Sequence, residues 1–155
     1  MRPSAITSLF ICEAADANGS RMDPALTVPD DRSCGTCTLC CRLPDIDFFD
    51  KPANQFCVHC LESQGCSIYS DRPSLCRDFL CLWRTDGNLS PVWDPTISGM
   101  MAYRQGAQIT VLVDPDHPQV WRNEPHRTEL SRWAKDAAES GGYVIVFCGD
   151  DVFKI

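Results

Sequence analysis

Nine cysteines lie between residues 34 and 81, and their types and spacing make them the residues most able to do chemistry. Four of them fall within the run CGTCTLCC, and a second Cys-x2-Cys pair and three further cysteines follow. A tight CxxC turn brings two sulfurs to one point, and tetrahedral zinc sites repeatedly use two such pairs. The candidate metal ligands are Cys34, Cys37, Cys40, Cys41, Cys57, Cys60, Cys66, Cys76 and Cys81.

The number of cysteines limits the kind of metal centre that the sequence can form. Nine thiolates are one more than two separate four-cysteine zinc sites require, and they also match a three-metal cluster with bridging sulfurs. A single iron–sulfur cluster needs four cysteines. Cys34, Cys37 and Cys40 are spaced like the start of a bacterial ferredoxin motif, but Cys41 follows at once instead of after three residues. Zn2+ is therefore the preferred cofactor, with iron or an iron–sulfur cluster as the alternative.

A centre of this kind is structural, redox-active or catalytic. Structural zinc sites have all four positions filled by protein, and abundant cysteine favours that arrangement. A redox dithiol needs only one CxxC pair, so the surplus cysteines count against it. The sequence therefore predicts a metal-binding protein whose zinc or iron is structural or chelated. The alternative is an enzyme such as an iron–sulfur oxidoreductase.

Three basic or ionisable residues stand next to these cysteines. His59, between Cys57 and Cys60, is expected to replace a ligand, to hydrogen-bond a sulfur, or to face solvent. Arg72 and Arg77 flank the later cysteines and are expected to offset the thiolate charge through charge-assisted hydrogen bonds.

The last two cysteines, Cys76 and Cys81, are five residues apart. On one continuous helix their side chains would point about 140° apart. We therefore expect the helix to end near Phe79, or the two cysteines to bind different metals.

Two motifs of the chain have a recognisable order and spacing, Cys34-x2-Cys37-x2-Cys40-Cys41 and Gly65-Cys66-Ser67-Ile68-Tyr69-x2-Arg72-Pro73-x2-Cys76-Arg77-x-Phe79. They resemble the CxxCxxCC family of bacterial cysteine-cluster proteins, described as zinc- or iron-chelating domains. The resemblance covers about a third of the chain, and it implies metal binding by Cys34, Cys37, Cys40, Cys41, Cys66 and Cys76. Cys57, Cys60 and Cys81 look like the additional cysteines of some members. A related branch includes flagellin lysine methylases, which implies a methylase-like, protein-modifying activity as a further alternative.

Composition excludes several other classes of protein. The chain has 155 residues and a formal charge of −7, with no basic cluster of the kind that binds phosphates, so the composition disfavours nucleic acid as a partner. No apolar run approaches the roughly 18 to 20 residues that span a bilayer, so we expect no membrane partner. Eleven cysteines without a convincing signal peptide favour a reducing cytoplasm and a metal ion as partner over a secreted disulfide scaffold.

The hydrophobic patterning along the rest of the chain predicts an α+β fold. We expect a flexible N-terminal extension over residues 1–33 and a cysteine-cluster metal-binding region over residues 34–84. Residues 85–155 should form a small α+β region packed with it as one domain. Period-two patterning predicts strands near residues 99–114 and 143–148, and helical spacing from Leu130 to Ala137 predicts a helix between them. The expected architecture is a small cysteine-rich metal-bound half followed by a small, mostly antiparallel sheet with one packed helix.

Overall fold

The computed structural model of the protein describes residues 31–155. The predicted extension over residues 1–33 therefore lies almost wholly outside the described residues. No helix within residues 31–155 combines the length and the apolar character that a membrane span requires.

The cysteine-rich region contains short elements only. None of its helices or strands is longer than five residues, and the longest connections between them are irregular loops. Its elements, with the short helix that ends the region, are α1 (Leu39–Arg42), β1 (Cys60–Leu61), β2 (Gly65–Cys66), α2 (Ser74–Asp78) and α3 (Leu82–Thr85).

The second half is a four-stranded sheet in the order β3-β4-β5-β6, with one long helix. As the apolar spacing predicted, that helix runs between the two strand pairs, and it ends just before Gly141, whose φ of +73° suits a helix stop. The elements are α4 (Pro95–Ser98), β3 (Met100–Gln105), β4 (Gln108–Val113), α5 (His126–Glu139), β5 (Val144–Cys148) and β6 (Asp151–Lys154).

The sheet is mixed, which refines the predicted mostly antiparallel arrangement. β3–β4 and β5–β6 are antiparallel hairpins, but β4 and β5 run parallel, with Val111 opposite Val146. A parallel pair needs a crossover of a dozen or more residues, and the α5 segment provides it. The α+β class and the single packed helix are confirmed.

The apolar core belongs to the sheet and α5. Val111, Val144 and Val146 in the central strands are completely buried, and Leu130 on α5 packs against them. Trp93 stacks on Trp133 with ring centroids 4.4 Å apart. Leu82 at the start of α3 joins the same cluster. Because this core is continuous, the second half can hold itself together by hydrophobic burial.

The cysteine-rich region has very little core of its own. Between residues 34 and 81, the buried hydrophobic side chains are Leu43, Ile46 and Cys57. Phe48, Val58 and Leu61 are exposed. A segment of this length that buries so little apolar surface and has no long helix or strand needs another source of stability.

Arg42 joins the two halves. Its guanidinium lies 2.9 Å from the carboxylate of Asp114 and 2.8 Å from that of Asp116, both in the loop after β4. Asp114 is buried, so the ion pair lies between the two halves and not in solvent. The ion pair therefore fixes α1, which carries Cys40 and Cys41, against the sheet.

Arg32 anchors the chain just before the first cysteine. It is buried, and its guanidinium donates hydrogen bonds to the backbone carbonyls of Trp83, Asp86, Gly87 and Leu89. The same guanidinium lies 3.9 Å from the centre of the Trp83 ring. One side chain thus satisfies four carbonyls at the end of α3 and in the loop after it.

We expect Arg32→Ala to lower the free energy of unfolding by about 2–4 kcal/mol, because it leaves several partly buried carbonyls without donors. Arg127→Ala is the matched control, since Arg127 forms an exposed ion pair with Glu124 and its loss should leave stability essentially unchanged. Urea unfolding followed by tryptophan fluorescence measures both. Equal stability of the two variants would show that the Arg32 contacts contribute nothing.

Candidate metal centre

All nine predicted ligands are free thiols in the structure. They lie in one part of the molecule, but they do not form a ready-made cage. Within residues 31–155, no three His, Cys, Asp or Glu side chains converge closely enough to hold a metal ion. The site must therefore be judged from the environment of each thiol.

Backbone N–H groups point at three of the thiols. The N–H of His59 donates to Sγ of Cys57 at 3.5 Å. The N–H of Leu39 lowers the pKa of Cys37, and those of Arg84 and Trp83 lower the pKa of Cys81, each opposing a larger rise caused by burial. These donors lie two or three residues after the cysteine. Such N–H groups stabilise the thiolate form, which is the form that binds metals.

One set of thiols surrounds the β1–β2 hairpin, and we call it the six-cysteine group. Backbone contacts assemble it, because the N–H of Cys57 donates to the carbonyl of Cys41 at 2.8 Å and Cys60 pairs with Cys66 across the hairpin. The thiol of Cys41 also exchanges hydrogen bonds with those of Cys60 and Cys40. The group consists of Cys40, Cys41, Cys57, Cys60, Cys66 and Cys76.

The thiols of this group interact electrostatically. Burial and the charges of Cys41, Cys57 and Cys66 raise the pKa of Cys60 to about 11. The same three cysteines, after burial, raise the pKa of Cys76. Both shifts favour the protonated forms of Cys60 and Cys76, and a divalent ion would remove the repulsion that contributes to them.

Lys51 is the basic residue of the six-cysteine group. It is buried, and its ammonium donates to the carbonyls of Arg42, Pro52 and Gln55 at 2.8–2.9 Å. Burial lowers its pKa, while the neighbouring thiols, Cys57 foremost, act in the opposite direction. Lys51 therefore ties the end of α1 to the loop before Cys57 and places a positive charge beside the thiols.

The remaining cysteines, Cys34, Cys37 and Cys81, form a second set, the three-cysteine group. Burial is the main cause that raises the pKa of Cys37 to about 11, and the charges of Cys81 and Cys34 add to it. The first two residues share a tight turn, in which the N–H of Cys37 donates to the carbonyl of Cys34 at 2.7 Å. This turn lies against the β1–β2 hairpin, where a Cβ on Gly65 would stand 3.0 Å from the Gly35 carbonyl.

Arg84 is the basic residue of the three-cysteine group, and sequence spacing did not single it out. Its Nη1 donates to Sγ of Cys34 at 2.9 Å. Its Nε is buried and has no hydrogen-bond partner among the described residues. Arg84 lies 50 positions after Cys34, so only the fold brings them together, although its position three residues after Cys81 was a signal that sequence reasoning could have used.

Arg72, Arg77 and His59, for which the sequence predicted roles beside the thiols, have three different environments in the structure. Burial raises the pKa of Cys76, and the charge of Arg72 opposes that rise; the Arg72 guanidinium stacks 3.7 Å from the centre of the Tyr69 ring. Arg77 is exposed on α2. The ring of His59 packs edge-on against Phe49, so the part of His59 that touches a cysteine sulfur is its backbone N–H.

The helix that carries Cys76 ends as expected. α2 stops at Asp78, and Phe79 has the extended conformation (φ −74°, ψ 118°). Cys81 then stands immediately before α3. The break separates the two cysteines, and they belong to different groups.

A large cavity lies among the thiols. Its volume is about 700 Å³, and its walls include aromatic side chains such as Phe49, Phe79 and Tyr103. A smaller cavity of about 260 Å³ adjoins Arg84 and Asp94 and is lined by Cys34, Cys37, Cys40 and Cys81. The cysteines that line the larger one are Cys34, Cys37, Cys40, Cys41, Cys57, Cys66 and Cys76. The space between the thiols is thus larger than a single ion fills.

The other ionisable residues of the second half serve the fold. Cys148 ends β5 in the hydrophobic core. His126 is buried, with Nε2 3.0 Å from the carbonyl of Val92 and its ring against Trp93. Neither residue is near the two cysteine groups in the contacts of the described chain.

Comparison with known proteins gives no match: no family model, no curated protein and no solved structure is similar to this chain.

Proposed function

We propose that the protein binds metal through its cysteine cluster, with zinc as the preferred ion, and that the metal folds the cysteine-rich region. The nine cysteines between Cys34 and Cys81 are the proposed ligands. When bound, the metal would supply fixed tetrahedral attachment points for chain segments that have no other cross-link.

The observation that carries this proposal is the contrast between the two halves. Residues 34–81 bury only three hydrophobic side chains yet contain nine cysteines, whereas the sheet and α5 contain a continuous apolar core. Structural zinc contributes an apparent 10–16 kcal/mol or so to small cysteine-based folds. This free energy is enough to replace a missing hydrophobic core, and the nine cysteines are of the residue type that binds zinc.

The environment of the thiols is the second support. N–H groups two or three residues further along the chain stabilise the thiolates of Cys37, Cys57 and Cys81, and each cysteine group has a buried or half-buried cation beside it, Lys51 or Arg84. Hydrogen bonds and charges around ligands favour the thiolate form and orient the sulfurs. These residues therefore stabilise and orient the thiolates that would bind a metal cation.

Iron is the second candidate metal, because the larger cavity is big enough to hold an iron–sulfur cluster. A space of about 700 Å³ lined by seven cysteines has room for a multi-atom cluster as well as for single ions. An iron–sulfur protein would suit an oxidoreductase. The resemblance to the CxxCxxCC family allows either metal, and its methylase-like branch is the remaining enzymatic alternative.

Metal analysis of anaerobically purified protein tests the proposal. We expect a colourless protein that contains zinc and releases it when the thiols are alkylated under denaturing conditions. A brown protein with iron and acid-labile sulfide would replace zinc by an iron–sulfur cluster. A metal-free protein with nine reactive thiols, still folded throughout residues 34–81, would contradict the proposed function.

A further inference from the structure

We propose that Cys60 and Cys66 are a redox modification site, whose two thiols form a reversible disulfide across the β1–β2 hairpin when the protein meets a low-molecular-weight disulfide. The proposed function gives all nine cysteines the same role, and this inference gives two of them a second one. The disulfide itself does not depend on bound metal. Only its consequence, the release of metal from the six-cysteine group, rests on the proposed function.

The register of the hairpin places the two cysteines directly opposite each other, because Cys60 pairs with Cys66 in the antiparallel ladder of β1 and β2. The N–H of Ser67 donates to the carbonyl of His59 at 2.8 Å, one position further from the turn. Hydrogen-bonded and non-hydrogen-bonded pairs alternate along an antiparallel ladder, so Cys60 and Cys66 form a non-hydrogen-bonded pair. Their side chains therefore leave the hairpin on the same side.

A non-hydrogen-bonded pair has the spacing that a disulfide needs. The Cα atoms of such a pair lie about 4.5 Å apart in a regular antiparallel ladder, and disulfides join residues whose Cα atoms are roughly 4.4–6.8 Å apart. The side chains of such a pair are also closer together than those of a hydrogen-bonded pair. The bond between Cys60 and Cys66 can therefore form by rotation of the two thiols, without movement of the backbone.

The turn of the hairpin holds this register and leaves the pair accessible. The N–H of Gln64 donates to the carbonyl of Leu61 at 2.8 Å and closes the loop between the strands. Neither Cys60 nor Cys66 is fully buried, and Leu61 beside Cys60 is exposed. Cys66 also lines the larger cavity, of about 700 Å³, which has room for a small disulfide. Because cysteine oxidation depends on exposure, a small oxidant can reach this pair.

The neighbouring cysteine pairs are less suited to a disulfide. Cys57 is buried, and its sulfur already accepts the N–H of His59. Cys40 and Cys41 are consecutive residues of α1, and side chains one residue apart on a helix point about 100° from each other. The thiol of Cys41 hydrogen-bonds that of Cys60, but it comes from α1, which is not paired in register with the hairpin. Strand pairing thus sets the disulfide geometry for the Cys60–Cys66 pair only.

The reaction consists of two successive thiol–disulfide exchanges. One of the two protein thiolates attacks a sulfur of the small disulfide, whose S–S bond breaks and releases one small thiol. The other protein thiolate then attacks the mixed disulfide and displaces the second small thiol. The protein loses two electrons and two protons and gains one S–S bond, and the oxidant takes them up to become two thiols.

Metal release is the consequence for the proposed function. The thiolate is the form of cysteine that binds metals, and a sulfur in a disulfide no longer carries that charge. Oxidation of the hairpin therefore removes two of the six thiols of the six-cysteine group at once. A metal held by Cys60 or Cys66 loses a ligand, and reduction of the disulfide restores it. The redox state of the hairpin would thus control how much metal the protein holds.

Oxidation of the full chain in its metal-bound form by oxidised glutathione tests the inference. Samples are quenched with acid, alkylated, and digested with trypsin and a glutamate-specific protease. Cleavage after Glu62 separates Cys60 from Cys66, so their disulfide appears in mass spectrometry as two peptides joined through sulfur. We expect this linkage to form first and to disappear on reduction. Zinc, followed with a metal-sensitive dye, should be released in step with it.

Four single variants identify the two sulfurs. Cys60→Ser and Cys66→Ser should lose the joined peptides completely. Cys57→Ser and Cys76→Ser are the matched controls, because each removes the other cysteine of one of the same two peptides, and both should keep the linkage. The order in which disulfides form in wild type decides the matter if a variant fails to fold.

The remaining outcomes separate this inference from the proposed function. A first disulfide between Cys57 and Cys60, between Cys40 and Cys41, or between any other pair would overturn the inference. The absence of a disulfide from wild type in excess oxidised glutathione would also overturn it. If wild type carries no metal and still forms the Cys60–Cys66 disulfide, the inference holds and the proposed function fails. If the disulfide forms and zinc stays bound, the control of metal by oxidation is wrong.

Discussion

Removing the metal should unfold residues 34–81 and leave the sheet and α5 folded. The physical reason is the unequal burial: the cysteine-rich region has three buried hydrophobic side chains, while the second half keeps its core without the metal. Because the cysteine-rich elements are at most five residues long, circular dichroism will change little. Nuclear magnetic resonance of the indole N–H groups is the sharper measurement.

The four tryptophans make this measurement specific. After chelation under reducing conditions, the resonances of Trp93, Trp121 and Trp133 should keep their dispersed positions, because all three are buried in the sheet core. The resonance of Trp83, which follows Cys81 and stacks under Arg32, should move. Trypsin should also cleave after Arg42 and Arg77 in the chelated protein but not in the metal-bound protein. Unchanged protease resistance and an unmoved Trp83 resonance would contradict metal-dependent folding.

Cys57→Ala should remove one metal from the protein, because the affinity of the affected site for metal should fall by more than about 100-fold. That loss exceeds the range seen when a residue that only hydrogen-bonds a ligand is replaced. Cys57 is buried at the centre of the six-cysteine group, its sulfur accepts the N–H of His59, and its own N–H holds Cys41. Loss of this sulfur therefore removes a proposed ligand from the turn that these two hydrogen bonds hold.

Cys148→Ala is the matched control, because Cys148 is also buried but lies in the apolar core of the sheet. We expect it to keep the full complement of metal and to cost about 1 kcal/mol of stability through lost packing. Metal-to-protein ratios from native mass spectrometry, with chelator competition for the affinities, compare the two. If both variants keep their metal equally, Cys57 is not a ligand.

The sequence predicted the fold well where apolar periodicity was strong. The hydrophobic run at residues 143–148 became β5, and the spacing of Leu130, Trp133 and Ala137 became the buried face of α5. The parallel pairing of β4 with β5 was not predicted, because strand direction depends on the path of α5 and not on the pattern of either strand.

The cysteine cluster was visible from spacing, but its internal organisation was not. Consecutive Cys40 and Cys41, and the CxxC pairs, carry no information about which distant thiols they meet. The approach of Arg84 to Cys34 joins residues 50 positions apart, and the charge of Cys81 acts on Cys37 only because the fold brings them near each other. The burial of Lys51 beside the thiols was also not predictable from the sequence, since an isolated lysine in a polar loop is normally a surface residue.

X-ray absorption at the metal edge of the purified protein tests the central claim most directly, because it identifies the atoms that hold the metal. We expect zinc surrounded mainly by sulfur at about 2.3 Å. A nitrogen or oxygen shell at about 2.0–2.2 Å as the main coordination, or the absence of bound metal from protein purified under reducing conditions, would contradict it.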